Sequence, residues 1–66
     1  MQTGYSVLPA VRGYKIYSER QGRTLSIHDC LDDALRAANA MAELAGVAVE
    51  VLDDEGRIVR LQVVDP

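Results

Sequence analysis

Reactive side chains lie closest together at His28, Asp29 and Cys30 in this 66-residue chain. A thiol beside an imidazole is the arrangement of a cysteine nucleophile with its general base. The two side chains are only two positions apart, at a predicted strand-to-helix junction, and no glycine-rich segment accompanies them. The simpler interpretation is a strand histidine that faces out, a helix-capping aspartate and a small first-turn residue. The sequence therefore predicts no catalytic residue and no enzyme.

A metal or cofactor site needs more ligands than this sequence groups together. The chain has one histidine and one cysteine, whereas a zinc site takes three or four protein ligands. Asp32 and Asp33 suit the positive end of a helix dipole, and the acidic segment 53–56 is far shorter than a calcium loop. The glycine spacing does not match a phosphate-binding loop. We expect no metal, no cofactor and no small-molecule ligand.

Basic and acidic residues are unevenly distributed. Residues 29–55 hold eight acidic side chains against Arg36. A basic hairpin with tyrosines could contact nucleic acid, and the residues that would do so are Arg12, Lys15, Arg20 and Arg23. The whole chain nevertheless carries a net charge of -3, and four basic residues release few counterions. A nucleic-acid-binding or antitoxin-like regulator is therefore the alternative interpretation, and the charge balance disfavours it.

Two alternating segments and a turn predict the first hairpin. Residues 13–19 and 24–28 alternate apolar and polar side chains, as half-buried strands do. Leu25 and Ile27 are expected to face inward, and Thr24, Ser26 and His28 outward. Residues 1–11 show no sustained period and are interpreted as a loose lead-in, with at most a short edge strand near residues 5–8.

The period then changes to that of an amphipathic helix over residues 30–45. Asp29 is the expected N-cap and Gly46 the expected C-terminal residue in the left-handed conformation. Apolar residues recur every three or four positions on the inward face: Leu31, Ala34, Leu35, Ala38, Met41, Ala42 and Ala45.

A second hairpin is predicted after the helix. Residues 47–52 alternate, with Val47, Val49 and Val51 inward, and residues 53–56 form a turn that ends in glycine. Residues 57–63 complete the hairpin, and their expected inward side chains are Val59, Leu61 and Val63.

The order of these elements predicts a single α+β domain with two layers. We expect a β-β-α-β-β order and a four-stranded, mainly antiparallel sheet with one helix on one face. The opposite face would carry Tyr17, Ala48, Leu52 and Ile58 among Lys15, Glu50, Arg60 and Gln62. Because a short chain has a thin core, we expect Tyr17, Leu52 and Ile58 to form an interface. The partner would be a second copy or an unidentified protein.

The segment 13–60 resembles a family of short, uncharacterised bacterial proteins, known as a domain of unknown function. The matching features are the tyrosines of residues 14–17, Gly22, Ser26, the acidic helix start at 29–34, the valine-rich segment 47–51 and the turn at 53–56. The chain departs from the family at Tyr14, where a nearby tryptophan is expected, and at Cys30, where threonine is usual. The resemblance implies the hairpin–helix–hairpin fold and carries no activity.

The sequence also bears on location. No apolar run approaches the roughly 20 residues of a membrane-spanning helix, and the first residues lack the pattern of a signal peptide. We expect a cytoplasmic protein without membrane contact.

Overall fold

One helix packs on a mixed five-stranded sheet in a computed structural model that describes residues 3–63. The elements, in chain order, are β1 (Thr3–Pro9), β2 (Tyr14–Ser18), β3 (Arg23–His28), α1 (Leu31–Ala45), β4 (Ala48–Leu52) and β5 (Ile58–Gln62). The sheet order is β3-β2-β1-β4-β5. The α+β class and the single-helix layer are confirmed, whereas the prediction of four mainly antiparallel strands is one strand short.

The additional strand is β1, which lies at the centre of the sheet. It pairs antiparallel with β2 and parallel with β4. The prediction of a loose lead-in or a short edge strand is therefore wrong. The central position buries β1 on both faces, with Ser6 and Val7 each 3% exposed or less. A strand buried on both sides has no simple alternation of polar and apolar residues to reveal it.

The helix packs across β1, β2, β3 and β4, and the core lies beneath it. Val7, Ile16 and Val49 are fully buried on the helix side of the sheet. They pack with valines of β4 and with the inward helix residues, which are Ala34, Leu35, Ala38 and Ala42. Leu31 and Met41 are partly buried against this core, and Ala45 is exposed. The small alanines let the helix axis approach the sheet closely.

The helix begins one residue later than the sequence indicates. Cys30 is the N-cap, and its carbonyl accepts the first helical bond from the amide of Ala34 at 3.2 Å. The predicted cap, Asp29, stays in the segment that leaves β3, because the turn at Gly13 packs against the backbone of His28 and Asp29. The helix ends at Ala45. Gly46 follows it in the left-handed conformation, as predicted, with φ of 69°.

Residues 26–28 of strand β3 present the opposite faces from those predicted, whereas Thr24 faces away from the helix as predicted. Ile16 pairs with Ser26 and Lys15 with Ile27, and a bulge follows at Leu25. Cross-strand partners share a face, so Ser26 lies on the helix side and Ile27 on the other, where it is 64% exposed. The bulge adds one residue to β3, which reverses the apparent alternation.

Strand β5 shows the same effect. Val51 pairs with Arg60 and Leu52 with Ile58, which leaves Val59 as the extra residue of a bulge. Arg60 and Gln62 therefore lie on the helix side, and the predicted inward positions Val59, Leu61 and Val63 are 54% to 63% exposed. With its amide oriented by its neighbours, Gln62 donates to Asn39 Oδ1 at 3.0 Å and accepts from Arg60 Nη2 at 3.0 Å.

The turn between β4 and β5 forms as predicted. The amide of Gly56 donates to the carbonyl of Asp53 at 3.0 Å, and Gly56 has φ of 81°. Asp53 Oδ1 accepts from the amides of Glu55 and Arg57, each at 2.9 Å. The carboxylates of Asp53 and Glu55 also lie 3.4 Å and 3.0 Å from the Arg57 guanidinium. These contacts account for the acidic composition of the segment.

Candidate interaction face

The side of the sheet opposite the helix, called here the helix-free face, carries two cross-strand rows of side chains. In the first row Ser6 pairs with Tyr17 on one side and Glu50 on the other, and Glu50 pairs with Leu61. In the second row Lys15 of β2 lies between Leu8 and Ile27. Leu52 and Ile58 pair directly at the far side of the sheet.

Four of these residues form a contiguous apolar surface over β1, β4 and β5. We define the apolar patch as Leu8, Leu52, Ile58 and Leu61. Leu8 and Leu52 are half-buried, whereas Ile58 is 60% and Leu61 57% exposed. Among residues 3–63 no helix or strand packs over this face, so Ile58 and Leu61 have little cover. Solvent-exposed apolar side chains grouped in this way are typical of contact surfaces.

The three predicted interface residues, Tyr17, Leu52 and Ile58, all lie on the helix-free face, but Tyr17 lies far from the other two. Leu52 and Ile58 are cross-strand partners. Tyr17 is half-buried on β2, three strand spacings from β5, which is roughly 14 Å. Ser6 and Glu50 lie between Tyr17 and β5 in the same row. Leu52 and Ile58 thus belong to the apolar patch, and Tyr17 lies beyond it.

A polar group of three side chains lies in the middle of the helix-free face. Ser6 Oγ donates to Glu50 Oε1 at 2.8 Å and lies 3.3 Å from Glu19 Oε1. The hydrogen bond between the carboxyls of Glu19 and Glu50 raises the pKa of Glu19, as do partial burial and the charge of Glu50, while Ser6 lowers it. The like charge of Glu50 thus disfavours the ionised form of Glu19.

Sequence reasoning missed this group for an identifiable reason. Glu50 was placed on the correct face by its alternation. Ser6 lies on β1, the strand that the sequence did not reveal, so nothing indicated that it joins the two glutamates. The signal in hindsight is a single polar residue, Ser6, between Tyr5 and the apolar pair Val7 and Leu8.

The four basic residues fall into two pairs at opposite ends of β2. Arg12 and Lys15 lie at its start, whereas Arg20 and Arg23 lie in or just after the turn that follows it, where Ser18 pairs with Arg23. The structure therefore does not bring all four together. Arg12 and Lys15 border an open depression of about 510 Å³ whose other lining residues are Ala10, Val11, Thr24 and Ile27.

The reactive residues named by the sequence do not pair with one another. His28 Nε2 lies 2.9 Å from Ser26 Oγ, on the helix side of the edge strand β3. Cys30 is a free, exposed thiol whose side chain makes no capping hydrogen bond. The imidazole therefore contacts Ser26 and not the thiol, so the two side chains do not form a shared site.

The described residues include neither a metal-binding cluster nor a membrane-spanning helix. Across residues 3–63, no three histidine, cysteine, aspartate or glutamate side chains are grouped closely enough to hold a metal ion. In the same part of the chain, α1 is too short and too polar to cross a membrane.

Comparison with known proteins gives no relative from which to draw a function. No protein family, curated protein or solved structure matches this chain. The resemblance to a family of short bacterial proteins therefore stays a prediction, and the functional argument depends on the geometry of the helix-free face.

Proposed function

We propose that this domain is a small protein-interaction module that self-associates through its helix-free face. The observation that carries the proposal is the exposure of the apolar side chains along β5. Ile58, Val59 and Leu61, with Val63 just beyond the strand, are each more than half exposed. Fully burying one such side chain contributes about 1.5–3 kcal/mol, so a partner surface that covers several of them gains a substantial driving force.

The two edges of the sheet differ, and the difference supports an interface on the β5 side. Both edge strands carry a bulge, but β3 is the more polar of the two, with Thr24, Ser26 and His28 beside one exposed apolar residue, Ile27. Polar side chains are one of the devices that keep an edge strand from pairing with other chains. The β5 edge carries apolar side chains beside Arg60 instead. Contact between copies covers this surface, and two-fold dimers are the commonest assembly of soluble chains.

Sedimentation of a lysine variant tests the proposal. The wild type is expected to sediment near twice 7.2 kDa at micromolar concentration, with a thermal midpoint that rises with protein concentration. Ile58→Lys is expected to sediment as a monomer, because it places an ammonium in the apolar patch.

The matched control is Leu44→Lys. Leu44 is 92% exposed and lies on the helix, on the other side of the molecule, so this variant adds the same charge and should stay dimeric. A wild type that is monomeric at every accessible concentration overturns the proposal, as does an Ile58→Lys variant that dimerises as tightly as the wild type.

A further inference from the structure

We propose that two helix-free faces meet with their strands antiparallel, so that Lys15 of each copy lies against Glu19 of the other. This inference rests on the proposed self-association and adds its geometry. It starts from the charges on β2, which have opposite signs at the two ends of the strand. Lys15 lies near the start of β2 and Glu19 directly after its end. They are four positions apart, roughly 13 Å along an extended chain, too far for a direct ion pair within one copy.

Neither charged end is neutralised within the part of the chain that the structure describes. Among residues 3–63, the carboxylate–cation contacts within 4.0 Å all involve Arg57. Arg12 and Lys15 thus leave the basic end without a carboxylate in that part of the chain. At the acidic end, Glu19 has Glu50 and Ser6 as its neighbours, and no cation lies among them. The basic end therefore lacks a carboxylate partner, and the acidic end lacks a cationic partner.

Symmetry decides how two such faces can meet. A two-fold axis between the faces and perpendicular to the strands reverses their direction and keeps each strand above its own copy. The basic end then lies over the acidic end, and β4 and β5 lie over β4 and β5, which buries the apolar patch against its own strands. An axis parallel to the strands keeps the basic ends of the two copies at the same level and the acidic ends likewise, so Lys15 does not meet Glu19. Charge selects the first arrangement.

The same axis passes near the row that contains Tyr17, because this residue lies midway between Lys15 and Glu19. Glu50 belongs to that row through its pairing with Ser6. Each Glu50 therefore approaches its own copy, and the two carboxylates repel one another. Replacing Glu50 by glutamine removes this repulsion and is expected to tighten the dimer.

A charge-swap experiment tests the geometry. Lys15→Glu is expected to raise the dimer dissociation constant at least about tenfold, since symmetry sets the new carboxylate against Glu19 twice. Glu19→Lys is expected to weaken the dimer similarly. The double variant Lys15→Glu with Glu19→Lys is expected to return to within about threefold of the wild type. Arg36→Glu, on the exposed side of the helix, changes the net charge as much as Lys15→Glu does and serves as the control.

The outcomes separate this geometry from the self-association itself. If Ile58→Lys makes the protein monomeric but Lys15→Glu behaves like Arg36→Glu, the antiparallel arrangement is wrong and the proposed function stands. A double variant as weak as the single variants also overturns the arrangement. If the wild type never dimerises, both proposals fail. Circular dichroism of each variant at low concentration verifies that the monomer is folded, so a weakened dimer reports on the interface.

Discussion

The turn between β1 and β2 requires glycine at position 13, because a larger side chain does not fit there. The φ of Gly13 is 74°, and a Cβ atom at this position would overlap the carbonyl oxygen of His28. Gly56 has a similar φ of 81°, but open space surrounds its Cβ position. Gly56→Ala is therefore expected to cost about 1 kcal/mol of unfolding free energy through backbone strain alone.

Gly13→Ala adds a steric overlap with the backbone to the same strain, so we expect a loss of about 3 kcal/mol or more. Urea denaturation of the two variants measures the difference. Equal losses would show that residues 28 and 29 move aside freely, contrary to the tight packing described for this turn.

The glutamate pair gives a prediction at the same scale with a defined direction in pH. The hydrogen bond with Glu50, burial and the charge of Glu50 raise the pKa of Glu19 above its ordinary value of 4.5. A carboxyl whose pKa is higher in the folded state contributes stability below the unfolded pKa and loses that contribution as the pH rises through the folded value. Glu19→Gln removes this loss, so it is expected to stabilise the protein at pH 7 relative to the wild type but not at pH 3.

Denaturation at both pH values in an Ile58→Lys background reports this effect on the monomer alone. Glu43→Gln, on the exposed face of the helix, provides the comparison for a simple change of charge. If the two glutamine variants show the same dependence on pH, the carboxyl pair does not form.

At the scale of secondary structure elements, the contact between the helix and the sheet accounts for most of the core. Leu35 is 8% exposed and packs with the buried valines. Leu35→Asp is expected to abolish folding, because a buried carboxylate without a partner costs more than the stability of a small domain. Arg36→Asp introduces the same residue at the neighbouring exposed position and should stay folded. Circular dichroism tests both, and a folded Leu35→Asp variant would show that the inward face of the helix is misassigned.

The elements also show which parts of the fold a sequence can reveal. The helix and the strand β4 were predicted within a residue, because each has one continuous period and a glycine at its boundary. The faces of β3 and β5 were predicted correctly before the bulge in each strand and wrongly after it, since one bulged residue reverses the alternation beyond it. Strand β1 gave no usable pattern, because its most buried residues include the polar Ser6 as well as Val7. The polar group at Ser6 depends on that strand and was missed with it.

At the scale of the whole molecule, charge favours contact with protein over contact with nucleic acid. The chain carries a net charge of -3, and its four candidate basic residues are split between the two ends of β2. We expect no shift of mixed-sequence oligonucleotides in a gel at about 0.15 M salt. A salt-dependent shift that Arg20→Glu with Arg23→Glu removes would favour the nucleic-acid interpretation instead.

The parallel pairing of β1 with β4 also constrains how the chain reaches its fold during synthesis. Tyr5 pairs with Val49 and Val7 with Val51. The central strand β1 is therefore synthesised before its partner β4, which lies more than forty residues later in the chain. During translation β1, β2 and β3 can assemble as an antiparallel meander, in which the apolar β1 is still an unprotected edge. Closing this long loop is the step that contact order makes slow. We therefore expect the nascent chain to be most prone to aggregation until residue 52 has left the ribosome.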